Sequence, residues 1–198
     1  MSRVFFISDT HFGHKSLAEN VRKMSVDEMD KLIITNWNKV VNKKDIVYHL
    51  GDIVMEKPSL IKQYLEQLNG NIRVVGGNHD LLGCTNILKE MNIPIVGCFN
   101  YKGFIVTHIP VHPMEVNGVF RGNIHGHVHN VKTIYGKDYL NVTSREDLES
   151  TSASIKNIEV INLKTDEDVG ATGAGNSYNT TNYEGLETLN VRKVDNAY

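Results

Sequence analysis

The stretch Gly76-Gly77-Asn78-His79-Asp80 decides how the chain is read. An apolar run, Ile72 to Val75, rises into it as a strand, and two glycines then allow a sharp turn and a close approach to whatever lies above the strand end. Asn78 offers a neutral oxygen ligand, His79 an imidazole able to give or take a proton, and Asp80 a carboxylate at the head of the next helix. On its own such a cluster is ordinarily a turn followed by a helix cap. Its meaning comes from the rest of the chain.

Working outward, the segment before it repeats the same design twice. Arg3 to Ser8 reads as a short buried strand ending in Asp9-Thr10-His11-Phe12-Gly13-His14, and Asp45 to Leu50 as a second ending in Gly51-Asp52. Ser25-Val26-Asp27-Glu28 has the form of a capping box and opens a helix with Met29, Leu32, Ile33, Trp37, Val40 and Val41 on one apolar stripe. Pro58 suits the first turn of another helix, carried by Leu60, Ile61, Tyr64, Leu65 and Leu68 and stopped by Gly70. Strands alternating with helices predict a parallel sheet covered by helices.

Beyond the motif a helix is expected over about Leu81 to Met91, then strands at Ile95 to Phe99, Phe104 to Thr107, Gly122 to His125, Thr133 to Tyr135, Tyr139 to Thr143 and Ile155 to Ile161. Two sheets packed face to face with helices outside accommodate both halves in one domain, residues 1–164. From Thr165 to Tyr198 the composition turns to Gly, Asn, Thr and Ser, with only a faint apolar spacing in Leu186, Leu189, Val191 and Val194. This stretch, 165–198, is expected to be a mobile or loosely docked tail.

Composition narrows the function. At 198 residues, 40% hydrophobic and 22% charged with a formal net charge of -2, the chain shows no basic footprint for stable nucleic-acid binding and no span suited to a membrane. The short apolar run before Asp9 is no signal peptide, so a cytoplasmic location is expected. Cys84 and Cys98 have neither zinc spacing nor the number of a disulfide framework and read as reduced thiols. Histidine is the unusual residue: six of the nine fall between His79 and His129.

Asp9 and His11, Asp52, Asn78 with His79, His108, and Gly126-His127-Val128-His129 all follow strands. The carboxyl ends of parallel strands lie along one edge, where such residues can converge. Carboxylate, amide and imidazole without thiolate suit manganese, iron, zinc, cobalt or nickel, and there are enough ligands for two ions. His49 and His125, inside strands, read as hydrogen-bonded core or supporting groups. His14, His112 and Arg121 are candidates to contact a substrate phosphate, against the ordinary role of an exposed loop residue. Asp80 could orient His79, with capping of the next helix the preferred reading.

In order, DxH, GD, GNHD, a lone His and GHxH resemble the blocks of the calcineurin-like metallophosphoesterase family, over roughly Met1 to Leu163. The resemblance implies a four-layered α-β-β-α sandwich carrying two divalent metal ions, manganese foremost. One metal would be held by Asp9, His11 and His129, the other by Asn78, His108 and His127, with Asp52 bridging and His79 a non-ligand catalytic residue. Two such ions lower the pKa of a shared water, which becomes the nucleophile, and leave a formal charge of about +2 that favours a phosphate anion. Thr107, where a Gly often precedes the lone His, and Asn141-Val142-Thr143-Ser144, in place of an Asn-Pro-Gly-Ser turn, depart from the pattern without losing a ligand. The expectation is a phosphodiesterase for a small or nucleotide-derived substrate. A phosphomonoesterase is the alternative, and a silent protein-binding scaffold is disfavoured because every ligand position is filled. A nuclease of the DNA-repair type is disfavoured as well, since such relatives carry long capping and DNA-binding segments. Oligomeric state is left open.

Overall fold

The computed structural model describes residues 2–80, 83–129, 139–143, 159–164 and 185–190, the last two ranges as backbone. The first half follows the expected alternation. Strand β1 (Val4–Ile7) leads through a π-type turn at Leu17–Val21 to helix α1 (Val26–Val40). The capping box is formed: Ser25 Oγ accepts from the Glu28 backbone N–H, and the Glu28 carboxylate accepts from the Ser25 N–H. Strand β2 (Ile46–His49) follows, then a 3₁₀ turn at Pro58–Leu60 running into α2 (Ile61–Leu65), β3 (Asn71–Val75) and α3 (Gly83–Glu90).

The strand expected over Ile95 to Phe99 is two strands. Chain direction changes at Gly97-Cys98, so β4 (Ile95–Val96) closes one edge of the first sheet while β5 (Phe99–Tyr101) opens the second. A periodic apolar run shows burial but not which neighbour a strand pairs with, and here the run is shared between two sheets. Strand β6 (Phe104–Val106), the one-turn helix α4 (Pro113–Val116), β7 (Gly122–His125) and β8 (Tyr139–Asn141) complete the second sheet, ordered β5-β6-β7-β8. The expected strand Thr133 to Tyr135 lies outside the described residues.

Strand β9 (Glu159–Lys164) pairs parallel with β1, and β10 (Gly185–Asn190) pairs antiparallel with β9, giving the first sheet the order β10-β9-β1-β2-β3-β4. A part of the stretch expected to be a tail is thus an edge strand. An antiparallel edge strand joins a parallel sheet without a crossover helix, so no strand–helix alternation announces it in the sequence.

Strand alternation divides the interior in two. Phe5 and Ile7 of β1 point toward the helices and pack with Met29, Ile33, Trp37, Val47, Val74 and Leu88. Phe6, between them, points the other way and packs with Val75, Phe104, Val106, Ile124 and Leu140 between the sheets. The Trp37 indole N–H donates to the Asn69 carbonyl at 2.9 Å and pins α1 to the turn before β3. The consequence for function is geometric. β1, β2 and β3 run parallel in one sheet and β6 and β7 run parallel in the other, so the loops after all five can meet. Among the described residues no helix is long and apolar enough to cross a membrane.

If the site depends only on these five loops, truncation after Lys164 removes an edge strand and spares the site. The truncated chain is expected to keep a cooperative melt and wild-type metal stoichiometry, measured by circular dichroism and elemental analysis. Loss of metal binding would move the domain boundary beyond residue 164.

Candidate metal centre

Five of the residues that gather at this sheet edge have left-handed backbones: Asp9 (φ 57°), His11 (49°), Asp52 (56°), His127 (67°) and His129 (49°). Each such residue costs about 1–3 kcal/mol and persists only where its surroundings over-determine it. Here the strands continue as hydrogen-bonded loops past their ends. Asp9 N–H donates to the Gly51 carbonyl at 3.0 Å, His11 to Asp52 at 3.1 Å and Phe12 to Ile53 at 2.9 Å. From the helix layer, the buried Asp30 carboxylate accepts the Gly13 N–H through both oxygens, at 3.1 and 3.2 Å. Two glycines are required by close approach. A Cβ at Gly77 would lie 2.2 Å from Asp52 Oδ1, and one at Gly126 would lie 2.0 Å from Ser8 Oγ.

Asp9, His11 and His129 form one cluster. Asp9 Oδ1 lies 3.7 Å from His11 Nε2 and 3.8 Å from His129 Nε2, and the two Nε2 atoms are 3.4 Å apart on stacked rings. Burial holds the His11 imidazole well below its usual pKa and, with the charge of Arg22, lowers His129 to about 4, so both rings are neutral at pH 7. Burial also raises Asp9 to about 6. Its Oδ2 accepts the His127 N–H at 2.9 Å, whereas Oδ1 is buried with no hydrogen-bond partner. An unpartnered carboxylate oxygen and two neutral imidazole nitrogens converging on one place fit a cation.

Asp52, His108 and His127 form the second cluster. His108 Nδ1–H donates to the Leu50 carbonyl at 2.6 Å, which leaves Nε2 turned toward Asn78 Oδ1 at 2.9 Å and Asp52 Oδ2 at 3.4 Å. A ring fixed in this way by a backbone carbonyl presents Nε2 as a ligand. In the metal-free protein burial works against ionisation of both Asp52 and His108. Their mutual hydrogen bond and charge prevail, lowering Asp52 to about 2 and raising His108. Oxygens of Asn78 and Asp52 beside the imidazoles of His108 and His127 fit the donor set of a divalent ion. The clusters adjoin, because Asp9 of the first holds the backbone of His127 of the second.

His79 stands at the mouth. Its side chain is 44% exposed, its Nε2 is 3.8 Å from Asp52 Oδ2, its ring is 5.8 Å from that of His11, and its N–H donates to Asp52 Oδ1 at 2.9 Å. Among the described residues Asp80 serves a loop other than its own. Its buried carboxylate accepts from Asp52 N–H (2.7 Å), Gly77 N–H (2.9 Å) and Ile53 N–H (3.0 Å), so it faces inward and ties the β2 loop to the β3 loop. His14 is brought to the mouth, its ring 5.7 Å from that of His11; Nδ1 accepts the Leu17 N–H at 3.2 Å, which leaves Nε2–H as a donor. His112 is exposed and caps α4, its Nδ1 accepting from the Met114 N–H at 3.3 Å.

Arg121 is misplaced as a phosphate contact. It precedes β7, its N–H bonds to Gly103 and its guanidinium lies over the Phe104 ring, and Phe104 pairs with Gly122 at the start of both strands. The candidate ligands follow the other ends of those strands, a strand length away. Thr107 Oγ1 donates to the Ile109 carbonyl at 2.6 Å and shapes the loop after His108. The carbonyl of His129 accepts from Asn141 Nδ2 and from Thr143 Oγ1, so the altered turn anchors a ligand loop. His49 and His125 are fully buried, held at about 3 and about 4 by burial. Sequence reasoning missed Arg22, buried after the π-type turn, whose charge lowers the pKa of His11, His14 and His129. A single Arg ahead of a helix gives no sequence signal of that kind.

The family model for calcineurin-like phosphoesterases matches residues 2–190. The chain is 40% identical over 134 residues to the uncharacterized protein MJ1445 of Methanocaldococcus jannaschii, covering 65% of this chain and 70% of that protein. It is 38% identical over 88 residues to the Gene 66 protein of Mycobacterium phage L5, covering 40% and 41%. Among solved structures it resembles AQ665 from Aquifex aeolicus, a protein of unknown function, with a TM-score of 0.55 and 25% identity over 76% of this chain and 94% of that one. With the family model spanning nearly its whole length and both ligand clusters assembled at one sheet edge, the chain belongs to the calcineurin-like phosphoesterases and is a metal-dependent phosphoric ester hydrolase.

Proposed function

We propose that this protein is a dinuclear phosphodiesterase for small or nucleotide-derived phosphodiesters. The observation that supports the reading most is the pair of adjoining clusters joined through Asp9 and His127, with His79 exposed beside them. Asp9, His11 and His129 would hold one ion and Asn78, His108 and His127 the other, with Asp52 shared and manganese the expected metal. When bound, two divalent ions supply charge for the phosphoryl oxygens and lower the pKa of a water toward neutrality. The protein's own part is to keep His11 and His129 neutral by burial, to fix the His108 ring on the Leu50 carbonyl, and to hold His79 within reach of a leaving oxygen. From that place the imidazole gives its proton to the departing alkoxide.

A phosphomonoesterase is the second reading, favoured by the positive charge of Arg22 near His14 and His129, which suits a dianionic terminal phosphate. The two are separated by kcat/KM on bis-p-nitrophenyl phosphate against p-nitrophenyl phosphate with added Mn²⁺, with EDTA as the control. Higher kcat/KM on the diester supports the first reading. No EDTA-sensitive hydrolysis of either overturns both.

Two substitutions test the roles. Asp52→Ala should lower occupancy of both ions, whereas Asn78→Ala should weaken mainly one; full occupancy in purified Asp52→Ala would refute the sharing. His79→Ala should keep both ions and lose about 10² to 10⁴ in kcat, the range for removal of a general acid. The loss should be smaller with p-nitrophenolate and larger with an alkyl or nucleoside leaving group. Equal leaving-group slopes for the two enzymes would rule out proton donation.

A further inference from the structure

Beneath the two ligand loops of the first sheet runs a line of polar groups that can be polarised in one direction only. The Ile53 carbonyl accepts and cannot donate, so the Thr10 hydroxyl, 3.0 Å away, donates to it. The single hydroxyl hydrogen is then used. At its 3.0 Å contact with His49 Nε2, Thr10 Oγ1 must accept, which places the imidazole proton on Nε2 and leaves a lone pair on Nδ1. That lone pair receives the Gly51 N–H at 3.2 Å. The run is therefore Gly51 N–H to His49, His49 to Thr10, and Thr10 to the Ile53 carbonyl.

Its placement is what gives it meaning. Thr10 sits between the candidate ligands Asp9 and His11, and Gly51 and Ile53 flank the candidate ligand Asp52 on both sides. All three candidate ligands have left-handed backbones, a conformation uncommon outside glycine. Four backbone bonds join these loops, from Asp9 to Gly51, His11 to Asp52, Phe12 to Ile53 and Met55 to Phe12, and the His49–Thr10 contact adds a side-chain link between them. His49 and Thr10 cross between the loops at the same level, and Trp37, its ring 6.4 Å from that of His49 at 21°, blocks retreat of the imidazole into the helix-side core. Asp80 grips Asp52 and Ile53 from the opposite flank. A residue that merely filled space here would be apolar, as the neighbouring Val47 and Leu50 are.

We propose that His49 and Thr10 are a positioning pair that sets the Asp9–His11 loop against the Asp52 loop, and so the affinity and spacing of two bound cations. The inference rests on the dinuclear reading above. It concerns residues that are not ligands, and it separates cation geometry from the stability of the fold.

The test uses the full chain as wild type, Thr10→Val, Thr10→Ser and His49→Gln. Thr10→Val keeps the shape and removes the hydroxyl; Thr10→Ser restores it; His49→Gln keeps a donor toward Thr10 and offers Gly51 no equivalent acceptor. Thermal melts in EDTA report folding without metal. Calorimetric titration with Mn²⁺ and the exchange-coupled EPR signal of paired Mn²⁺ ions report affinity and spacing. Thr10→Val and His49→Gln should bind Mn²⁺ about 10- to 100-fold more weakly, with a reduced coupled signal, and Thr10→Ser should return to within about threefold of wild type. Folded variants with wild-type affinity and coupling would overturn the inference, as would a Thr10→Ser as weak as Thr10→Val. Should Thr10→Val not fold, His49→Gln against wild type decides by the same criteria. A wild type that binds no pair of Mn²⁺ ions would overturn the dinuclear reading and this inference with it, whereas unaffected variants of a pair-binding wild type overturn the inference alone.

Discussion

A buried carboxylate needs either donors or a cation, and Asp9 divides itself between the two. One oxygen takes the backbone N–H of His127; the other, sealed from water, faces two neutral imidazoles and has no donor. Without a cation, burial drives the group toward its protonated form, with a pKa of about 6. A divalent ion removes that penalty by giving the free oxygen and both rings a common partner. The surrounding loops keep Asp9 where a cation would give its unpartnered oxygen a counter-charge, opposite an Asp52 held by the His79 backbone N–H and His108.

Supporting elements come from three directions. From the helix layer, Asp30 of α1 holds Gly13 in the loop that carries His11. From the β3 loop, Asp80 holds the backbone on either side of Asp52. Between the sheets, the Leu50 carbonyl after β2 orients His108 after β6, and on the second sheet Asn141 and Thr143 hold the carbonyl of His129. These are hydrogen bonds between buried groups, where loss of one partner costs the full desolvation of the other. They can therefore offset the unfavourable backbones at Asp9, His11, Asp52, His127 and His129. Strain is concentrated at the sheet edge while the two apolar cores, divided by the alternation of Phe5, Phe6 and Ile7, carry the stability of the fold.

Histidine chemistry at this edge is sorted by environment. Burial keeps the candidate ligands His11 and His129 in their neutral form, and a carbonyl bond makes His108 present one nitrogen. His79, on the same edge but nearly half exposed, remains open to water and substrate. Residues of one type thus divide into buried neutral rings, a ring oriented by a carbonyl and an exposed ring through position alone.

The local pattern of the chain determined a good deal. The capping box at Ser25, the strands leading to Asp9, Asp52 and Asn78, and the order of the five ligand blocks were legible because helix caps, period-two burial and glycine turns are properties of neighbouring residues. Their convergence follows once the strands run parallel. What tertiary structure alone decided depends on partners distant in the chain. The run Ile95 to Phe99 divides between two sheets, and Gly185–Asn190 adds to an edge, because strand pairing is set by long-range contacts. Arg121 falls at the wrong end of its strand, Asp80 turns inward to serve another loop, and Arg22 arrives beside His129 from a turn with no recognisable pattern. In each case the residue's type was plain from the sequence. Its direction was settled only when sheets and loops packed, because a side chain takes its role from what burial and hydrogen bonding place opposite it.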